Sequence, residues 1–343
     1  MAEDLRPIWA HFTSDCPCGS AVGNDAPAGA KEPEAYDLPM SPARRAYLAW
    51  VIVCVVWGST YLAIRVALES IPPMLMAAMR WIAAGAILIA TLRIRGEPLP
   101  GPRAWPALTV LGILLLGFGN GAVVWAEQTV ASGLTAVLVA TVPFWMVGVD
   151  ALNGPRVGLA GNAPRSDALT VRCILGLTIG FAGIVMLVWP ELRAARSGRE
   201  FLIGVVSTQI AAIGWAIGSS FARHRSRTAA ESENVLATAA FEMLFGGIAL
   251  LLVGLTLGEW ARLTFTSRTA LALAHLIFVG AIAGFTAYAY MLKHLPVATA
   301  SLYAYINPVI AVILGALVLG EPFGLRMAVA AAVVLLGVAL VRS

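Results

Sequence analysis

The sequence predicts an all-α membrane protein of ten transmembrane helices, built as two inverted five-helix repeats. Three observations carry this prediction. Of 343 residues, 59% are hydrophobic and 12% charged, with a mean hydropathy of +0.82. A soluble domain runs nearer to about 25% charged. Ten apolar runs of 17–23 residues follow one another, the length a helix rising about 1.5 Å per residue needs to cross roughly 30 Å of hydrocarbon. The motifs of the first half then recur, in order, in the second.

Residues 1–46 contain no apolar run and are rich in Pro, Gly, Ala and acids: Glu3, Asp4, Asp15, Asp25, Glu32, Glu34 and Asp37 stand against Arg6 and Lys31. A signal peptide's basic start and apolar centre are missing. This stretch reads as a disordered cytoplasmic tail. The alternative is that Met40 is the natural start, because "MSPARRAYLAW" is a compact basic flank for a first membrane helix. Cys16 and Cys18 have no second ligand pair nearby, so no metal is expected.

The runs fall at 47–66, 74–92, 105–125, 133–152, 171–189, 201–221, 235–257, 270–291, 298–319 and 325–341. Punctuation separates several of them: "SIPP" after the first, "RIRGEPLPGPRAWP" after the second, "NGPRVGLAGNAPRSD" after the fourth, "RHRSRTAAESEN" after the sixth and "LGEPFG" after the ninth. Pro and Gly stop helices, and arginines mark the membrane surface. With the N-terminus cytoplasmic, thirteen Lys and Arg fall in or beside inner loops and seven outside. Both termini are therefore expected inside, although Arg193, Arg196 and Arg199 run against the trend. The basic excess suits membrane-flanking loops, and no nucleic-acid partner is expected.

The halves repeat. "WGSTYLAIR" (57–65) matches "WAIGSSFAR" (215–223), and "AMRWIAAG" (78–85) matches "AFEMLFGG" (240–247), setting Arg80 opposite Glu242. "VWAEQTVASGLTAVLVATVPF" (124–144) matches "AYMLKHLPVATASLYAYINPV" (289–309), with Pro143 on Pro308 and Gln128 on Lys293; "GIVML" (183–187) matches "GVALV" (337–341). The repeats are taken as 47–190 and 201–342. Five is odd, so the second lies upside down relative to the first, an architecture of secondary transporters with the substrate site near midplane.

"WGSTYLAIRVAL", the "MRW" arginine, "EQTVASGLTAVLVATVPFW" and "NPVIAVILGALVLGEPF" resemble the EamA-type members of the drug/metabolite transporter superfamily over residues 47–341. The resemblance implies a multi-pass carrier in the bacterial cytoplasmic (inner) membrane, usually an exporter of amino acids, other metabolites or toxic compounds. It does not name the substrate. One departure stands out: the "GEP" of Gly320, Glu321 and Pro322 has no counterpart after helix four, where "LNGPRVG" stands instead.

Arg80 falls roughly 9–10 Å into helix two from its outer end, where a charge needs a reason. It is either a structural clamp, with Glu127 at the end of helix three as its expected partner, or a substrate-carboxylate anchor or gate. Glu242, expected near the inner face, matches inner arginines or Lys293 and offers a site for proton coupling. Trp57, Ser59, Thr60, Tyr61, Asn120, Trp125, Trp215, Ser219, Tyr288, Tyr303, Tyr305 and Asn307 are the aromatic and small polar residues that would line a path for a small solute. Each has an alternative as packing or interface anchor. Pro143 and Pro308 free carbonyls at matched points in helices four and nine and are candidate hinges. Gly176, Gly180 and Gly183 suit close helix packing, within the chain or at a homodimer contact. His275 is either a proton relay or a hydrogen-bonded structural histidine.

No P-loop, HExxH or GxSxG motif and no paired metal-ligand cluster occurs. The sequence therefore predicts a secondary transporter, not an enzyme. It is expected to need no cofactor, to act on a small-molecule substrate within the bilayer with proton coupling as an option, and to be a monomer or homodimer. The competing readings are a sugar or nucleotide-sugar importer, a membrane-embedded enzyme and a non-transporting scaffold.

Overall fold

The computed structural model describes residues 42–152, 171–193, 198–228, 234–295, 303–321 and 323–342. The helices are α1 (Pro42–Ala67), α2 (Pro73–Ile94), α3 (Pro102–Ala126), α4 in two segments (Ser132–Val139 and Val142–Leu152), α5 (Val171–Arg193), α6 (Gly198–Thr228), α7 (Val235–Thr256), α8 (Ser267–Ala274, His275–Ala283 and Gly284–His294), α9 (Tyr303–Leu319) and α10 (Leu325–Arg342). In lipid every backbone N–H and C=O must be satisfied within the segment, which is why these apolar runs are helical. Large side chains such as Leu48, Val55, Phe181, Leu202, Leu252 and Leu317 lie exposed on the outside, as a lipid-facing surface requires.

Local chemistry sets the boundaries. Pro73 opens α2, where its missing N–H is no loss. Asn234 caps α7 by accepting from the Leu236 and Ala237 amides at 3.0 and 3.3 Å. Thr266 and Thr269 form a reciprocal capping box on α8. Gly96 and Gly258, with φ of 72° and 67°, close α2 and α7 in the same left-handed conformation, which costs glycine nothing. They lie at the same offset that relates Arg80 to Glu242. Two sequence boundaries shift: α1 starts at Pro42, within the stretch expected to be tail, and α9 is described only from Tyr303. The rest of the expected tail and the loop with "LNGPRVG" lie outside the described residues, apart from Leu152, which ends α4.

Packing follows the repeat. α2 lies along α7, and a Cβ built on Gly85 would sit 2.7 Å from Ala240 O, while one on its repeat mate Gly247 would sit 2.8 Å from Ile82 N. α5 lies along α10 in the same way: a Cβ on Gly183 would meet Val334 N at 2.8 Å, and one on Gly337 would strike the Gly180 backbone. Small residues let backbones approach where lipid supplies no hydrophobic drive. Gly180 and Gly183 thus pack within the chain. Around these two pairs, α1 contacts α8 and α9 while α6 contacts α3 and α4, leaving a central space.

The midsections Ile113–Asn120 of α3 and His275–Ala283 of α8 are wound as π-helix. They occupy equivalent places in the two repeats, and such widened turns often mark functional sites. At one end of the bundle the turns are tied together. Ser70 Oγ donates to Thr264 O at 3.0 Å and Thr264 Oγ1 donates to Ser70 O at 3.2 Å. Arg268 pairs with Glu69 at 3.1 Å, an exposed contact contributing at most about 1 kcal/mol.

Candidate functional site

A cavity of about 410 Å³ occupies the centre of the bundle. It is within the range of about 300–1,000 Å³ that holds small organic ligands. Trp57, Thr60 and Tyr61 reach it from α1, Arg80 from α2, Asn120 from α3, Trp215 and Ser219 from α6, Tyr288 from α8, and Tyr303 and Asn307 from α9. Both repeats contribute.

One wall is aromatic. The Trp57 ring lies 5.3 Å from Phe285, 5.1 Å from Tyr288 and 5.1 Å from Tyr303. Its Nε1 donates to Gly280 O in the π-helical part of α8 at 3.2 Å, which fixes the ring plane. On the other side Trp81 Nε1 donates to Asn120 Oδ1 at 3.0 Å. Thr60 turns its hydroxyl back to Trp57 O at 2.7 Å. In the orientation that satisfies its surroundings, the Asn307 amide nitrogen donates to Tyr303 O and Cys54 O, each at 3.1 Å. Ser59 Oγ donates to Val56 O at 2.8 Å and lies 3.1 Å from His275 Nε2, so His275 is a hydrogen-bonded histidine tying α1 to α8.

Arg80 is 3% exposed, and its guanidinium carbon lies 4.2 Å from the Trp81 ring centroid, a cation–π arrangement. The expected clamp to Glu127 is not formed: Arg80 Nε and Nη1 and both Glu127 carboxylate oxygens are buried without a hydrogen-bond partner among the described residues. Glu127 is fully buried and feels Arg80, Arg65 and Glu321 only through their fields. Arg65 Nη1 instead donates to the Glu127 main-chain carbonyl. A buried donor left unpaired costs about 1–3 kcal/mol, more for a charged group.

Other expectations are revised. Trp125 does not line the cavity and is 37% exposed. Glu242 does not line it either; its carbonyl packs against Gly112 where α3 crosses α7, and Arg225 is the cation that acts on it. Arg80 and Glu242 therefore do not flank a shared cavity. The side chains of Lys293, Tyr305 and Pro143 lie outside the described residues. The two segments of α4 part at Ala140 and Thr141, where Pro143 lacks the N–H that would bond Val139 O. Pro308 sits inside an unbroken α9 and lines the cavity.

Three polar anchors were not singled out from the sequence. Glu321 spans the repeats: its carboxylate accepts from Ser132 N at 2.8 Å, Ser132 Oγ at 2.9 Å and Gly133 N at 3.2 Å, capping the α4 N-terminus from the α9–α10 turn. Its one signal was the unmatched "GEP". Gln209 Oε1 accepts from Trp145 Nε1 at 3.0 Å and Thr141 Oγ1 at 3.2 Å, pinning the α4 break to α6. Glu259, unlike Glu321 fully buried, plays a similar part by accepting from Leu75 N at 2.9 Å.

The family described as EamA-like transporter matches residues 44–153 and 202–343, one stretch in each half. The chain is 35% identical over 268 residues to the "Uncharacterized inner membrane transporter YedA" of Escherichia coli K12, covering 78% of this chain and 80% of that one. It is 24% identical to the "Uncharacterized transporter YoaV" of Bacillus subtilis 168, covering 85% and 94%. It is 25% identical to the "Probable amino-acid metabolite efflux pump" of Salmonella typhimurium LT2, covering 81% and 88%. A solved crystal structure shares the fold at a TM-score of 0.59 and 23% identity, covering 86% of this chain and 96% of that one.

Proposed function

The chain belongs to the EamA-like transporter family, and on that premise we propose a secondary active carrier that exports small metabolites by alternating access. Its substrates are amino acids or drug-like amphipathic solutes, its place the bacterial cytoplasmic membrane, and both its termini are cytoplasmic. The observation that carries this reading is the central cavity, walled by aromatic and polar side chains from both repeats. A carrier needs a site that belongs to neither half alone, so that rocking one half against the other changes the side from which it is reached. The ties at the α1–α2, α3–α4, α7–α8 and α9–α10 turns fit a state closed at that end. The Salmonella relative, named as an efflux pump, supports the export direction.

The proton-coupled form of this reading assigns the titrating carboxyl to Glu127 rather than Glu242. Glu127 is fully buried, carries no hydrogen bond on either oxygen, and sits in the field of Arg80, which lines the cavity, and of Arg65 and Glu321. Tyr61 is a further titratable neighbour. The test is a proteoliposome screen with labelled amino acids and metabolites, with and without an imposed proton gradient. Saturable flux of at least one solute is expected, and its absence for every class overturns the carrier reading.

A further inference from the structure

The cavity's charge is lopsided. Among the described residues that line it, Arg80 is the only charged one, and no carboxylate faces the space. Arg80 rests on the Trp81 ring but has no carboxylate bonded to it among the described residues: Nε and Nη1 are buried without a hydrogen-bond partner, Nη2 is left to face the space, and the carboxylate that acts on it, Glu127, does so through space. A guanidinium nitrogen facing the cavity gives a carboxylate a charge-assisted hydrogen bond as well as an opposite charge. An ammonium group in the same space would meet Arg80 as a like charge, with ring faces and neutral oxygens such as those of Tyr61, Ser219 and Asn307, but no carboxylate, in compensation.

The rest of the wall specifies the body of the solute. Trp57, Phe285, Tyr288 and Tyr303 form one continuous aromatic surface, and Ile64, Leu116 and Met146 add apolar area. Of the polar groups among them, the Trp57 N–H, the Thr60 hydroxyl and the Asn307 amide nitrogen are already bonded to backbone carbonyls. They offer less to a hydroxyl-rich solute than the rings offer to a flat one.

We propose that the cavity selects organic monoanions in which one carboxylate is attached to a flat, apolar or aromatic body. Arg80 takes the carboxylate and the Trp57 cluster takes the body. This rests on the carrier reading above and narrows its substrate class.

The test uses the full chain, in detergent for binding and in liposomes for flux, with four labelled probes sharing a phenyl body: phenylacetate, phenylalanine, phenethylamine and phenylethanol. Phenylacetate is expected to bind at least about ten-fold more tightly than phenethylamine, with phenylalanine between them. Arg80→Gln is expected to weaken phenylacetate about ten-fold or more while leaving neutral phenylethanol unchanged, and Arg80→Lys to restore part of the loss. Phenylethanol binding reports that the variants are folded, and the wild-type ranking stands without them. The proposal is overturned if phenylacetate does not bind at millimolar concentration, if phenethylamine binds as tightly, or if Arg80→Gln keeps wild-type affinity for phenylacetate. Binding in the expected order without flux leaves the site assignment standing and removes the carrier reading. Flux that ignores solute charge does the reverse.

Discussion

Replacing Glu321 by alanine deletes three hydrogen bonds at the start of α4, of 2.8, 2.9 and 3.2 Å. Bonds to a charged acceptor are worth about 1.5–3 kcal/mol each, but water can reach part of this turn, and the loss of a helix cap usually costs about 1 kcal/mol, at most about 2. Weighing the two, Glu321→Ala should destabilise the protein by about 2–4 kcal/mol, and Glu321→Gln, which keeps one acceptor oxygen, by about half that. Two measurements check this. Denaturant unfolding in micelles followed by tryptophan fluorescence gives the global loss. Hydrogen exchange at the Ser132 and Gly133 amides gives the local one, where a loss of about 2 kcal/mol is roughly a 30-fold faster opening. Unchanged protection at both amides in Glu321→Ala would sink the claim that this carboxylate holds α4.

Gly85→Ala should destabilise by about 1–3 kcal/mol, because the added methyl meets the α7 backbone and both helices must part. Gly148→Ala, with open space around it, should instead stabilise by about 0.5–1 kcal/mol through helix propensity; a like sign in the two unfolding curves refutes the packing argument. Gln209→Ala strands the Trp145 donor, while Thr141 keeps its 2.7 Å bond to Leu138 O, and should cost about 1–2 kcal/mol, read in the same assay. Glu242→Gln should leave solute affinity within about two-fold, since the residue lies off the cavity, whereas Glu127→Gln should abolish the response of flux to a proton gradient. The opposite pattern in the liposome assay moves the coupling role back to Glu242.

The broad architecture was legible because lipid imposes it. Helix length, Pro and Gly punctuation and arginine-marked loops all follow from burying every peptide group within its own segment. The repeat was legible because the two halves reuse the same residues at the same joints, as Gly96 and Gly258 or Gly85 and Gly247 show. Nine of the aromatic and small polar residues singled out from the apolar runs line the cavity, but residue type alone did not separate lining from packing or interface anchoring. Trp125 was singled out by residue type alone: Gly121–Ala126 is regular helix, and with Asn120 and Val123 facing the cavity Trp125 falls on the other side. The partners of Arg80 and Glu321 were equally hidden. Charge matching favoured Arg80 with Glu127, but the fold holds them apart, and Glu321 finds its donors 189 residues away across the repeat boundary.

The unequal treatment of the two matched prolines has a further consequence. The chain is broken ahead of Pro143 but runs helical through Pro308, so two near-copies of one motif hold different shapes. If a carrier of this design reverses its opening by letting its halves trade shapes, α4 should straighten across Ala140 and Thr141 while α9 gives way near Tyr305 and Ile306. Transport would then be an exchange of one defect between two addresses, with the helical turns at Ala140–Thr141 and Tyr305–Ile306 alternately broken and remade, while Val139 O and Ala304 O lack a proline donor in either shape. Paired spin labels flanking each address should lengthen at one as they shorten at the other.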